Sequence, residues 1–161
     1  MVEPTTEPKT EDLQSVIEIA AAREAVWRTL TDPAAVARWM GCVGFQPIVG
    51  HLFHLQPDRA QRAKGGLKGA ITCRVEVLEA PRRLTFSWGF PETLDTWVEI
   101  RLRTIPGGTH VRLTHTGWDQ FDPAETEPVR GGLDYAWHAV VLPALKGVVE
   151  GAGDSSDRSE I

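Results

Sequence analysis

The 161-residue sequence has only two cysteines, Cys42 and Cys73. Two thiols are too few for a disulfide framework, which excludes a small secreted scaffold held by bridges. They read as free, mostly buried thiols of a reducing compartment. Long apolar runs are also missing. None reaches the roughly 18 residues of a membrane-spanning helix. The opening MVEPTTEPKTED is acidic and rich in Pro and Thr, with no apolar stretch, so it is not a secretory signal. A cytoplasmic location is expected.

A basic excess is absent. The formal net charge is −5. Residues 1–12 hold four acids and one base, and residues 151–161 hold three acids and one base. The remaining 15 acids and 15 bases leave residues 13–150 neutral. The acidity therefore belongs to two tails that read as disordered, 1–12 and 151–161, around one domain over 13–150. A neutral domain argues against nucleic acid as a partner.

Catalytic and metal signatures are missing as well. There is no Gly-x-Ser-x-Gly string and no evident nucleophile–base pair. No Cys/His cluster has zinc spacing. His51 and His54 stand three apart, which on a strand puts them on opposite faces, so no metal is expected. Gly65-Gly66-Leu67-Lys68-Gly69 matches neither a phosphate-binding loop nor a dinucleotide fingerprint. It reads as a mobile loop placed to gate a cavity. Asp119, Asp122, Glu125 and Glu127 read as a solvated loop ahead of a helix N-terminus, where negative charge is favourable. Their spacing is too loose for calcium. No cofactor is implied.

What the sequence does have is patterned. Over Glu127–Gly151, Leu133, Trp137, Val140, Val141, Ala144, Leu145 and Val148 recur at three- and four-residue steps, one apolar stripe of a long helix. Pro143 interrupts it. A proline inside a helix costs about 3 kcal/mol, so this one is expected to bend the helix around a curved sheet.

The rest of the chain supplies that sheet. Ser15–Ala20 reads as a strand with Ile17 and Ile19 on one face. Arg23–Thr31 reads as a helix burying Val26, Trp27 and Leu30. Asp32-Pro33 caps and starts a second helix, which turns Val36, Trp39 and Met40 inward and stops at Gly41. Phe45–Val49 and His51–Leu55 read as a tight strand pair around Gly50, and Asp58–Gly66 as a polar loop. In the strand over Leu67–Leu78, Ile71, Cys73, Val75 and Val77 share a face. Leu84, Phe86, Trp88 and Phe90 share a face of the next, and Pro91–Asp95 is a turn. Val98, Ile100 and Leu102 alternate with Trp97, Glu99, Arg101 and Arg103. After the turn at Pro106-Gly107-Gly108, Val111, Leu113 and His115 face inward. Such alternation means an antiparallel sheet with one dry face. The fold class is α+β: a strand, two short helices, about six strands, then a long helix.

Several strings resemble a known superfamily. VIEIAAAREAVWRTLTDPAAVARWM is similar to the opening of the START-like (SRPBCC, Bet v 1-like, helix-grip) domains. The matching points are Val26-Trp27, the Leu30-Thr31-Asp32-Pro33 junction and Trp39. They resemble the branch related to the C-terminal domain of the activator of Hsp90 ATPase. Arg82–Trp88 resembles that family's strand after a proline turn. Gly107-Gly108-Thr109 with Val111, Leu113 and His115 resembles its last hairpin, and the helix with Trp137, Leu145 and Val148 its closing helix. The resemblance covers about residues 15–150. Ala22 departs from the proline common there, and the eukaryotic activator carries a further N-terminal domain.

The resemblance implies a curved antiparallel sheet wrapped around the C-terminal helix, with a cavity between them for a hydrophobic, lipid-like or aromatic small molecule. The candidate lining residues are Trp39, Met40, Phe45, Phe53, Trp88, His115, Trp118, Leu133, Trp137 and Val141. Lining and plain core packing are both open for the tryptophans. His115 is either a satisfied interior histidine, a polar handle for a ligand or, with a partner, an acid–base. The alternatives to ligand binding are an Hsp90-cochaperone-like module of the stress response, and a cyclase- or hydrolase-like enzyme using His115. The chain is expected to be a monomer or homodimer.

Overall fold

Alternation of apolar and polar residues writes most of the sheet. The computed structural model describes residues 12–56, 59–64, 70–89 and 95–152. In chain order the strands are β1 (Leu13–Ile19), β2 (Cys42–Val43), β3 (Leu52–Leu55), β4 (Ile71–Glu79), β5 (Arg83–Gly89), β6 (Asp95–Ile105) and β7 (Gly108–Thr116). They form one antiparallel sheet in the order β1-β7-β6-β5-β4-β3-β2. Val98, Ile100, Val111 and Leu113 are fully buried, while Arg101, Arg103 and Arg112 point outward into water. Trp97 lies on the outer face, 40% exposed. Gly108 lets the first and last strands close: a Cβ there would overlap the carbonyl oxygen of Ile19.

Helices α1 (Arg23–Thr31) and α2 (Pro33–Trp39) follow β1, as expected. Asp32 serves both. Its backbone N–H donates to the Arg28 carbonyl at the end of α1, and its side chain accepts the Ala35 N–H at 2.9 Å to cap α2. Gly41 ends α2 in the left-handed region at φ 73°, where other residues are disfavoured. Val26, Leu30, Val36 and Trp39 are buried.

Three local expectations need correction. The strand before β3 is Cys42–Val43, paired with His54 and Leu55, and Phe45–Val49 is irregular. Phe45 is nevertheless buried, because its ring packs edge-on against Phe53 at 5.1 Å. Part of the polar stretch over 58–66 is helical, α3 (Arg59–Ala63). In β4 a bulge between Val75 and Val77 breaks the alternation. Leu78 then opposes buried Leu84 and packs on the core, whereas Val77 opposes Thr85. Phe90, the turn over 91–94 and the glycine-rich 65–69 stretch lie outside the described residues, as do residues 1–11 and 153–161 of the two tails.

The long helix starts earlier than expected and is not uniform. α4 (Pro123–Ala136) is capped by Asp122, whose Oδ1 accepts the Ala124 N–H at 3.0 Å. Glu125 and Glu127 are therefore helical, and Asp119 sits in a 3-10 turn (Trp118–Gln120). A π turn (Trp137–Val141) follows, then α5 (Leu142–Ala152). In the π turn the Leu142 N–H bonds the Trp137 carbonyl, five residues back. The extra residue rotates the stripe. Trp137, Leu142, Leu145 and Val149 are buried, while Val140, expected inside, is 52% exposed. The turn also accounts for Pro143. The clash of a proline ring is with the carbonyl four residues back, here Ala139, which lies within the widened turn.

α5 is tied to β1. Lys146 Nζ donates to the Glu18 carbonyl at 3.0 Å and to Glu150 at 2.7 Å, and Glu150 accepts the Ala20 N–H at 2.9 Å. The Lys146 hydrogen bond and the Ala20 N–H hold the Glu150 carboxyl below its ordinary pKa. α4 has no fully buried side chain among those described, and Val129 and Tyr135 stand 41% and 67% exposed.

Candidate functional site

The inward faces of β5, β6 and β7 meet the π turn at four rings: Trp88, His115, Trp118 and Trp137. Each is at most 2% exposed. Trp88 contacts Trp137 and His115 edge-on at 5.1 and 5.5 Å between centroids. His115 lies 4.8 Å from Trp118 and 5.8 Å from Trp137. Such tilted and edge-to-face pairs are the favoured aromatic geometries. Strand alternation aims Trp88 and His115 inward, and Gly117 at φ 98° turns the chain so that Trp118 joins them.

A directional hydrogen-bond chain runs through this cluster. The Trp137 indole Nε1–H can only donate, and it donates to His115 Nδ1 at 3.2 Å. His115 Nδ1 is therefore the acceptor and Nε2 carries the proton. Nε2 stands 2.7 Å from Thr96 Oγ1, to which it donates. The Thr96 hydroxyl in turn donates to the Trp88 carbonyl at 3.0 Å. Both imidazole nitrogens are engaged by a neutral ring. Burial pushes the His115 pKa down to about 3. A hydroxyl is thus within reach of His115, but its proton points away from the imidazole, so the histidine does not activate it. Sequence reasoning missed Thr96, although a signal for it exists. Extending the alternation of Val98, Ile100 and Leu102 two residues back puts it on the inward face.

Trp88 Nε1 is buried and has no hydrogen-bond partner among the described residues.

The other expected lining residues group around this centre. Phe45, Phe53 and Phe86 form a chain of edge-to-face contacts at 5.1 and 5.5 Å. Trp39 is satisfied within the helical layer, its Nε1–H donating to the Thr29 carbonyl at 2.9 Å. Met40 is buried, and Leu133 and Val141 pack half-buried on the same core. Cys42 and Cys73 are free and buried; desolvation pushes the Cys42 thiol up to about 12 and raises Cys73 as well. His51 precedes β3 and stands 2.7 Å from the Gly44 carbonyl. Among the described residues no helix is long and apolar enough to cross a membrane.

A seven-stranded antiparallel sheet, two short helices after the first strand and a long helix closing over the dry face define a helix-grip α+β domain. The sequence profile described as "Activator of Hsp90 ATPase homolog 1-like protein" matches residues 20–141, and the chain belongs to that family. Solved structures agree. Protein MLL2253 from Mesorhizobium loti superimposes with a TM-score of 0.72 at 26% identity, over 86% of this chain and 96% of that one. Protein BH1534 from Bacillus halodurans gives 0.67 at 26% identity, with the same coverages. The Aha1 dimer from Colwellia psychrerythraea gives 0.62 at 19% identity, over 86% of this chain and 96% of that one, a likeness of fold. None of the curated proteins compared with the chain matches it.

Proposed function

We propose that this protein binds a flat apolar or aromatic small molecule, lipid-like in character, between the sheet and the C-terminal helix. The observation that carries the reading is the Trp88 indole N–H inside the aromatic cluster, buried and without a hydrogen-bond partner among the described residues. A buried donor without an acceptor costs about 1–3 kcal/mol. A ligand bearing one oxygen acceptor removes that cost while its apolar body replaces ring contacts. The four rings pack on one another, so uptake requires one of them to move. Trp137 is that ring. It sits on the π turn, between the anchored α5 and the largely exposed α4. Displacing it also frees His115 Nδ1 as an acceptor, a second polar anchor. Phe45, Phe53, Trp118, Leu133 and Val141 are the apolar walls.

The engagement of His115 supports binding over catalysis. A ring whose two nitrogens are both hydrogen-bonded, with its pKa pushed down to about 3, stays neutral near pH 7 and has no free nitrogen for proton transfer. A cochaperone-like role in a stress response is the second reading, supported by the family's description and by the outward apolar side chains of Val129, Tyr135 and Val140 along the long helix. In both readings the protein is cytoplasmic, where two free buried thiols stay reduced.

Titration of intrinsic tryptophan fluorescence with fatty acids, sterols and polycyclic aromatic ketones tests the proposal. Saturable quenching or a spectral shift that is lost in Trp88→Phe is expected. A flat response to all three classes, with stimulation of a bacterial Hsp90 ATPase, would favour the cochaperone reading instead.

A further inference from the structure

The domain is neutral as a whole, yet its arginines are not evenly spread. A pocket of about 320 Å³ at the β6–β7 turn end of the sheet is lined by Arg23, Arg82, Arg101, Arg103, His110 and Arg112. Alternation sends Arg101, Arg103, His110 and Arg112 to the outer face. Arg82 comes from the β4–β5 turn and Arg23 from the first turn of α1. Register brings like charges together: Arg101 lies directly across from Arg112 on one side and Arg83 on the other. Like charges opposite one another on a sheet are destabilising.

The acids nearby offset only part of this. Glu99 pairs with Arg101 at 3.0 Å and with Arg83 at 3.2 Å, and Glu79 pairs with Arg82 at 3.5 Å. Glu18 stands across from His110 at the rim. Arg23, Arg103 and Arg112 have no ion pair among the described residues. The Nε of Arg23 is buried and without a hydrogen-bond partner among the described residues. Three guanidinium groups without an ion pair among the described residues, and two more shared with glutamates, line the same hollow.

We infer that this pocket binds a small phosphorylated compound through its phosphate or diphosphate group, at a site separate from the aromatic interior. Guanidinium forks match phosphate oxygens in pairs. A diphosphate carries about the three charges that Arg23, Arg103 and Arg112 leave uncompensated. The volume lies at the lower end for a small-molecule pocket, and a concave site favours a compact anion over an extended polyanion.

Isothermal titration of the full chain with inorganic pyrophosphate at low ionic strength is the test, with sodium chloride and citrate as controls at equal ionic strength. One saturable site for pyrophosphate is expected. Arg103→Gln and Arg112→Gln should each weaken it about tenfold, as loss of a charged hydrogen bond does. Arg74→Gln, on β4 outside the pocket, should leave it unchanged. Thermal melts without anion keep the variants comparable, and relief of the Arg101–Arg112 opposition should leave Arg112→Gln no less stable than the parent. Absence of saturation overturns the inference. So does an equal loss in all three variants, tighter binding of citrate than pyrophosphate, or binding of heparin and RNA without pyrophosphate.

Discussion

Replacing His115 with glutamine should flatten the acid sensitivity of the fold. The imidazole is buried in a neutral form with its pKa pushed down to about 3, against 6.5 in an unfolded chain. Between those values the unfolded chain binds a proton that the folded chain refuses. Acid therefore favours unfolding: the contribution of neutral His115 is fully present above pH 6.5 and is lost as pH falls toward 3. From pH 7 to pH 5 one such group removes about 2 kcal/mol of stability by linkage. A glutamine side chain can still accept from Trp137 or donate to Thr96, but it cannot titrate. The variant also loses ring packing against Trp88 and Trp118, so about 2–3 kcal/mol should go at every pH. The informative quantity is the difference in slope. Urea unfolding of both proteins at pH 7, 6 and 5 supplies it, and contributions from carboxylates such as Glu150 cancel in the comparison. A variant that loses the same stability between pH 7 and 5 as the parent would refute the buried neutral histidine.

Two further substitutions probe the frame around the cluster. Pro143→Ala should fold and change stability by less than the about 3 kcal/mol that a proline costs in a regular helix, because the π turn already accommodates the ring. Urea melts decide it, and a gain of the full amount would show that the turn and the proline are unrelated. Gly108→Ala should destabilise by several kcal/mol, since its Cβ meets the Ile19 backbone rather than a side chain that can move. Thermal melts within about 1 kcal/mol of the parent would mean that β1 and β7 separate easily there.

Much of this fold is written in local pattern. The alternation in β6 and β7 sets His115 inward and Trp97 outward, and Asp32-Pro33 marks the helix junction. These features depend on residues near one another in the chain. The features that escape the sequence depend on partners far away or on insertions that periodicity does not display. The β4 bulge and the π turn each add one residue. Each reverses or rotates the residues after it, which is why Val77 and Val140 lie outside while Leu78 and Leu142 pack inside. Cys42–Val43 is a strand only because β3 offers it an edge. The aromatic cluster is legible residue by residue, but the role of His115 is not. The β6–β7 register and the fold of the C-terminal helix are needed to bring Thr96 and Trp137 to its two nitrogens. The arginine pocket is invisible in a neutral composition because it gathers residues from α1, a turn and two strands.

The proposed ligand enters the interior at Trp88 and Trp137. The six tryptophan indole N–H signals in a nitrogen–proton correlation spectrum test it most directly. On titration with a polycyclic aromatic ketone, the Trp88 signal should move downfield as it gains an acceptor. Trp118 and Trp137 should shift with the same saturation curve, while Trp97 on the outer face stays fixed. Movement of Trp97 alone, or of none of the six, would mean that no ligand enters there.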